Sequence, residues 1–316
     1  MSDKQIECSV VIPVYNSNDS LSELVERLER VFCQDVKRSY EIVMIDDCSP
    51  NQKTWTTMSL LASRHKSVRC VQLMRNFGKA GAVLCGFQEA RGKYVITMDD
   101  DLQHRPEDIS VLFEKKDHDV VLGSFREKNH GTLACLGSHV KGWFDQIIMG
   151  KPKDIQMSPY KLFKSHVVKQ MLKIKTSHPF IPALMYYVTK DVVAVEISHD
   201  PRKYGKTGFT LRKRLAQLFR LLINNSSLLL QVVASIGFGI SLLSTCYALY
   251  LIFKRFMLAV PVSGWTSLMV TILITSGLVL FSLGVIGEYL IRIIDGLESK
   301  PAFIVRQHAV QNDTND

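Results

Sequence analysis

The stretch KYVITMDDDLQ at residues 93–103 decides the fold of this chain. Its first half is a short apolar run, which is typical of a strand buried inside a sheet. The run ends in three adjacent carboxylates, Asp99, Asp100 and Asp101. In open parallel sheets, ligands bind beyond the carboxyl ends of the strands. The stretch therefore predicts a buried strand that directs an acidic cluster into a ligand site.

Further strands are predicted on both sides of this stretch. Apolar runs bounded by turn residues occupy residues 8–14, 40–45, 68–73 and 119–123. Ser20 and Glu23 have the spacing of a capping box and precede apolar residues at helical intervals, and residues 79–90 indicate another helix. Strands that alternate with helices predict an α/β domain with a mostly parallel sheet.

Composition restricts the partners. The formal net charge is +9, which favours an anionic partner such as a membrane surface or a phosphorylated substrate. The apolar C-terminal third favours these two over nucleic acid. Seven scattered cysteines without a C-x-x-C pair do not indicate zinc or a disulfide framework. The polar start, MSDKQIE, lacks the apolar stretch of a signal peptide, so we expect a cytoplasmic catalytic part.

Two long uncharged runs predict a membrane hairpin. No charged residue occurs at positions 221–253 or 256–287, whereas a bilayer core needs only about 20 apolar residues per helix. We expect spans at about residues 226–253 and 264–290. Basic residues flank the pair, which places both flanks in the cytoplasm: Arg212, Lys213, Arg214, Arg220, Arg292, Lys300 and Arg306. The alternative is a buried helical pair in a protein without membrane spans.

The hairpin has two further features. Residues 209–223 place leucines on one helical face and basic residues mostly elsewhere, which predicts an interfacial helix or a solvated helix packed on the domain. Glu288, near the end of the second span, is either functional or paired with Arg292 one helical turn later. The expected organisation is a catalytic domain (1–207), an amphipathic helix (208–224), a hairpin (225–291) and a cytoplasmic tail (292–316).

The acidic run allows two interpretations by itself. Three adjacent acids often form a solvated turn. When they lie in a ligand crevice, their repulsion raises their pKa values unless a cation intervenes. Mg²⁺ or Mn²⁺ would supply that cation, because hard cations bind carboxylate oxygens and bridge to phosphates.

Four motifs together resemble the family-2 glycosyltransferases of the GT-A fold. They are VVIPVYN at 10–16, IDDCS at 45–49, RNFGKAGAVLCGF at 75–87 and MDDDLQHRPEDI at 98–109. The two-span C-terminus and GEYLIRI at 287–293 resemble the polyprenyl-phosphate branch of that family, such as the bactoprenol glucosyltransferases. The resemblance implies a Rossmann-like GT-A domain that takes sugar from a nucleotide donor.

The resemblance also implies roles for individual residues. Asp99 and Asp101 match the two acids of the D-x-D metal motif, Gln103 matches a further metal-binding position, and Asp100 stands where many members have alanine. The implied donor-binding residues are Pro13, Tyr15, Asp46, Asp47, Lys79, Asp99, Asp100, Arg202 and Lys206, with Tyr204 and Gly205 in the same closing loop.

The acceptor side follows in the same way. Arg126 resembles the arginine that holds the acceptor phosphate, with Ser138 and Lys141 assisting. Asp154 resembles the family's proposed catalytic base. A base is optional because a phosphate monoester is already ionised at neutral pH. The catalytic residues implied are thus Asp154, Arg126 and Asp101.

The expected reaction is inverting transfer of a sugar, with UDP-glucose favoured, to undecaprenyl phosphate for O-antigen or lipopolysaccharide modification. N-acetylglucosamine, mannose and aminoarabinose remain open as the sugar. The resemblance further implies a multi-pass protein of the bacterial inner membrane and a homo-oligomer such as a tetramer. Two other classes stay open: a processive polysaccharide synthase, although no Q-x-x-R-W motif is present, and a noncatalytic membrane scaffold.

Overall fold

A computed structural model describes residues 6–125, 158–176, 179–197, 264–297 and 300–310, with scattered positions between 235 and 253. The chain separates into two compact units. One comprises Met1–Gly208 together with Ser299–Asp316, and the other comprises Phe209–Glu298.

The first unit is built on a mixed, mostly parallel sheet. Its strands are β1 (Cys8–Val14), β2 (Tyr40–Asp46), β3 (Val68–Leu73), β4 (Tyr94–Thr97), β5 (Val120–Phe125), β6 (Lys161–Lys164), β7 (Val192–Ile197) and β8 (Val305–Ala309). They lie in the order β7-β5-β6-β4-β1-β2-β3-β8. β6 runs antiparallel to β4 and β5, β8 runs antiparallel to β3, and the other neighbours are parallel.

Helices cover both faces of the sheet. They are α1 (Asp19–Val31), α2 (Gln52–Arg64), α3 (Gly78–Glu89), α4 (Ile109–Glu114), α5 (Ser165–Lys173) and α6 (Ile181–Val188). Alternate side chains of β1 enter opposite cores: Val10 and Ile12 pack with α1, α2 and α4, whereas Val11 packs with α3, α5 and α6. Burial on both faces explains why the central strands read as continuous apolar runs.

The five predicted strands are confirmed, with ends that differ by at most two residues. The predicted capping box is wrong. α1 begins at Asp19 after Asn18, which makes no side-chain capping bond, and Ser20 is buried in the first turn. The Asn18 side chain instead accepts a hydrogen bond from the Thr54 hydroxyl at 2.9 Å, so it links α1 to α2.

The C-terminal residues depart from the expected organisation. Helix α7 (Trp265–Leu297) has 33 residues and continues past the predicted end of the second span at residue 290. Residues 305–309, expected in a tail, form β8 at the sheet edge. Within the described part of the chain, no helix is both long enough and apolar enough to be a candidate membrane span. Residues 208–224 and the side chains of Glu288 and Arg292 lie outside the described residues.

A buried polar network holds the turn before β4. The Glu41 side chain is 3% exposed and accepts hydrogen bonds from the Ser9 hydroxyl at 2.7 Å, the Arg91 amide at 2.8 Å and the Arg69 guanidinium at 3.1 Å. The Ser9 hydroxyl in turn accepts from the Gly92 amide at 2.8 Å. The network ties β1, β2 and β3 to the chain that enters β4.

We therefore expect Glu41→Ala to lower the free energy of unfolding by about 3 kcal/mol, because it leaves Arg69 partly buried without this partner. Urea unfolding of the full-length protein measures the change. Glu26→Ala, at an exposed position of α1, is the matched control and should shift stability by no more than about 0.5 kcal/mol. Equal effects of the two substitutions would contradict this role of Glu41.

Candidate active site

A cavity of about 310 Å³ opens at the carboxyl ends of the central strands. Its wall is formed by the ends of β1, β2 and β4 and by the start of α3. The lining residues are Pro13, Val14, Tyr15, Asp47, Asn76, Gly78, Lys79, Ala82, Asp99, Asp100 and Asp101. Seven of the residues predicted from the sequence are therefore brought together here: Pro13, Tyr15, Asp47, Lys79, Asp99, Asp100 and Asp101.

Unusual backbone surrounds this cavity. Asn16, Cys48 and Leu102 have φ values of 58°, 55° and 60°, and Gly78 has φ 81°. The three non-glycine residues follow β1, β2 and β4 at the strand ends that form the cavity. Left-handed conformations cost about 1–3 kcal/mol at such residues and persist only where the surroundings impose them. The surrounding structure therefore imposes these turns on the chain after β1, β2 and β4.

The two aspartates after β2 have different environments. Asp47 is 4% exposed, lines the cavity and accepts a hydrogen bond from the Phe77 amide at 2.7 Å. Burial raises the pKa of its carboxyl group. Asp46 is fully buried and does not line the cavity; it accepts from the Ser49 amide at 3.0 Å and the Gln72 amide group at 2.8 Å. Of the predicted pair, Asp47 alone faces the site.

The acidic cluster carries its own counter-charge. Lys79, in the first turn of α3, donates to the Asp99 carboxylate at 2.7 Å. Burial raises the pKa of Asp100 to about 6, and the charges of Asp99 and Asp101 act in the same direction. Within the described residues, Asp100 Oδ2 has no hydrogen-bond partner. Asp101 accepts from the Gln103 amide at 3.2 Å.

These residues fit a divalent cation that is shared with a substrate. No group of three or more histidine, cysteine or carboxylate side chains in the described part of the chain is arranged to hold a metal alone. Mg²⁺ however is usually held by one or two carboxylates together with water and substrate phosphates. Asp99 and Asp101 supply such carboxylates, and the partnerless oxygen of Asp100 lies beside them. Gln103 does not line the cavity.

Two buried basic groups near the cluster were missed as site residues. Lys161 pairs with Thr97 across β6 and β4, is 5% exposed, and burial lowers its pKa to about 7. His104 is 3% exposed, its ring centroid lies 5.2 Å from that of Tyr160, and burial lowers its pKa to about 4. Neither was among the predicted site residues: His104 lies within the MDDDLQHRPEDI motif without an assigned role, and Lys161 belongs to β6, which reaches β4 only in the folded sheet.

The remaining predicted site residues lie outside the described part of the chain: Arg126, Ser138, Lys141, Asp154, Arg202, Tyr204, Gly205 and Lys206. Asn76, which lines the cavity, was not singled out, although it falls within the RNFGK motif. Its side chain accepts from the Gly78 amide at 3.1 Å and so shapes the start of α3.

Residues 9–168 match the family model described as Glycosyl transferase family 2. The chain belongs to this family. A relative from Synechocystis, named as an uncharacterized glycosyltransferase, is 34% identical over 95% of both chains. An undecaprenyl-phosphate 4-deoxy-4-formamido-L-arabinose transferase of Pseudomonas paraeruginosa is 30% identical over 95% of this chain and 89% of its own.

Membership of family 2 confirms that the chain is a glycosyltransferase, as the motifs predicted. It also accords with the GT-A type of α/β domain. Among solved structures, glucosyl-3-phosphoglycerate synthase from Mycobacterium tuberculosis, in complex with Mn²⁺, UDP and phosphoglyceric acid, has a TM-score of 0.47 at 14% identity. The similarity covers 69% of this chain and 76% of that one.

The buried lysine of this glycosyltransferase predicts a pH dependence. Folded Lys161 loses its proton near pH 7, whereas the unfolded chain keeps it to about pH 10.5. The unfolded state thus binds more protons in this window, so Lys161 makes folding stability rise with pH between these values. Lys161→Met should remove that rise.

The measurement is the urea midpoint of the wild type and the variant at pH 7, 8 and 9. Lys53→Met, at an exposed position of α2, is the control and should keep the wild-type slope. A Lys161→Met variant with an unchanged slope would show that this lysine remains charged in the folded protein.

Proposed function

We propose that this family-2 enzyme transfers a sugar from a nucleotide donor to a polyprenyl phosphate, with inversion at the anomeric carbon. The observation that carries the proposal is the cavity that joins Asp47, Lys79 and the acidic cluster beside the start of α3. The relatives named for undecaprenyl phosphate support the choice of acceptor.

The cavity suits a nucleotide sugar because it combines two chemically different sets of groups. Tyr15, 49% exposed, and Pro13 offer an apolar surface for a base, and Asp47 can accept from a ribose hydroxyl. The positive end of α3 and Lys79 suit a diphosphate. We assign Asp46 to support of this wall through Gln72 rather than to donor contact.

We propose Asp99 and Asp101 as the metal-binding residues, with Gln103 nearby. Mg²⁺ or Mn²⁺, when bound, would neutralise negative charge on the nucleoside diphosphate as it leaves. Lys79 neutralises Asp99 in the free enzyme and can turn to the diphosphate when the donor enters. Asp100 remains a partly buried neighbour that adds to the local negative charge.

The acceptor phosphate needs little activation. Its second pKa is near 6, so its oxygen is a competent nucleophile at neutral pH once it is oriented. We propose Arg126, Ser138 and Lys141 for holding that phosphate, and Arg202 and Lys206 for closing on the donor. Asp154 would orient the acceptor or act as a base. One displacement then inverts the sugar's configuration.

The sugar has two supported candidates. Glucose from UDP-glucose follows from the resemblance of RNFGK and DLQH to the bactoprenol glucosyltransferases. 4-Deoxy-4-formamido-L-arabinose is favoured by the names of several relatives at 28–30% identity. Either product would be a lipid-linked sugar for modification of a cell-surface glycan.

We propose that residues 225–291 anchor the enzyme as a two-span hairpin in the bacterial inner membrane. The uncharged runs at 221–253 and 256–287 support this, as do large exposed apolar side chains on α7, such as Leu280 and Ile274. Such an anchor, with residues 208–224 at the interface, would keep the catalytic unit near the lipid phosphate. A homo-oligomer such as a tetramer is part of the same proposal.

A donor panel tests the reaction. Membranes containing the protein are incubated with a short polyprenyl phosphate and labelled UDP-glucose, UDP-N-acetylglucosamine, GDP-mannose or the UDP-linked formamidoarabinose, and lipid is then extracted. We expect label from one donor in the lipid phase, dependent on added acceptor and lost with EDTA. Label in a polymer instead would favour a polysaccharide synthase, and no transfer from any donor would favour a noncatalytic scaffold.

Asp101→Ala should lower transfer at least about 100-fold, because it removes a carboxylate proposed to bind the metal. Its urea midpoint should stay close to the wild-type value. Asp117→Ala, at an exposed position outside the cavity, is the matched control and should retain activity. Full activity of Asp101→Ala would overturn the metal assignment.

A further inference from the structure

Residues 300–310, which we name the C-terminal strap, run along the outer edge of the sheet. Their strand β8 pairs antiparallel with β3. The strap holds the backbone of Met74 on both sides: the Met74 amide donates to the Ile304 carbonyl at 2.9 Å, and the Arg306 guanidinium donates to the Met74 carbonyl at 3.0 Å. Met74 is thus fixed by residues more than 200 positions later in the chain.

Met74 is the first residue after β3 and begins the loop that leads into α3. That loop carries Asn76 and delivers Gly78 and Lys79 to the cavity wall. Its far end is held by Asp47, which accepts from the Phe77 amide at 2.7 Å. One end of the wall is therefore fixed by a proposed donor-binding residue and the other by the strap.

Two further contacts connect the strap with the same wall. Gln307 donates to the Gln72 side chain at 2.9 Å, and Gln72 donates to the buried Asp46 at 2.8 Å. The strap also approaches α3 closely, since a Cβ atom added at Gly81 would lie 2.8 Å from the Ala302 carbonyl oxygen. This approach is two residues from Lys79.

We propose that the C-terminal strap positions the Met74–Lys79 wall for the nucleotide donor, and that Arg306 and Gln307 are positioning residues for the transfer reaction. This inference rests on the proposed function, because it takes the cavity to be the donor site. Neither side chain lines the cavity, so both act through the loop. The proposed donor site thus depends on residues well outside the matched family region, 9–168.

The kinetic test uses the full-length enzyme with the active donor of the panel. The double variant Arg306→Ala/Gln307→Ala removes two hydrogen bonds and should raise the donor KM about tenfold. The kcat and the acceptor KM should stay within about twofold of wild type, a split that general loss of structure would not produce. Arg306→Lys keeps a hydrogen-bond donor, so its donor KM should lie much closer to the wild-type value than that of Arg306→Ala.

The control is His308→Ala, whose exposed side chain makes no hydrogen bond among those described for this part of the chain; it should leave the donor KM unchanged. The proposal is overturned if the double variant keeps the wild-type donor KM, or if its donor KM, acceptor KM and kcat all change together.

Hydrogen exchange separates this inference from the proposed function, because it needs no turnover. In the double variant, amides of residues 74–79 should exchange faster, whereas amides of β1 should keep their protection. Unchanged exchange at residues 74–79 overturns the strap's role. If the wild type transfers no sugar from any donor, the proposed function fails, and this exchange measurement alone decides whether the strap positions the wall.

Discussion

The concentration of negative charge after β4 is the constraint on which the rest of the site depends. Burial of Asp100 in this run of three carboxylates disfavours its charged form, and the adjacent charges of Asp99 and Asp101 add to the effect. The raised pKa of Asp100 is the direct result. Lys79 offsets part of this charge through its pair with Asp99, and the buried ammonium of Lys161 lies near enough for its pKa to respond to both. This charge balance is the basis on which we propose that the site binds a cation together with phosphate.

The parallel arrangement of β1, β2 and β4 places these charges where a ligand can reach them. Each of these strands ends at the same edge, and each is followed by a residue with positive φ: Asn16, Cys48 and Leu102. Hydrogen bonds from Gln72 to Asp46 and from Ser9 to Glu41 link the strands below the cavity.

The wall opposite the acidic cluster is assembled from distant parts of the chain. The loop from Met74 to Gly78 is held by Asp47 after β2 and by Ile304 and Arg306 in the C-terminal strap. Strand β8 at 305–309 thus joins the sheet from well beyond residue 168, where the family match ends. The edge strand β8 also covers β3, which would otherwise present unpaired backbone groups.

Sequence by itself determined the features that depend on local pattern. The apolar runs located β1 to β5 and the acidic cluster, because a strand buried on both faces must be apolar throughout. The motifs at residues 10–16, 45–49, 75–87 and 98–109 resemble family-2 glycosyltransferases, and the family match over residues 9–168 confirms that resemblance. Only the tertiary structure decided which of Asp46 and Asp47 faces the cavity, because adjacent residues on a strand end point to opposite sides. The same holds for Lys161 and the strap: their strand partners are distant in sequence, and local sequence patterns do not predict pairings that form only when the sheet folds.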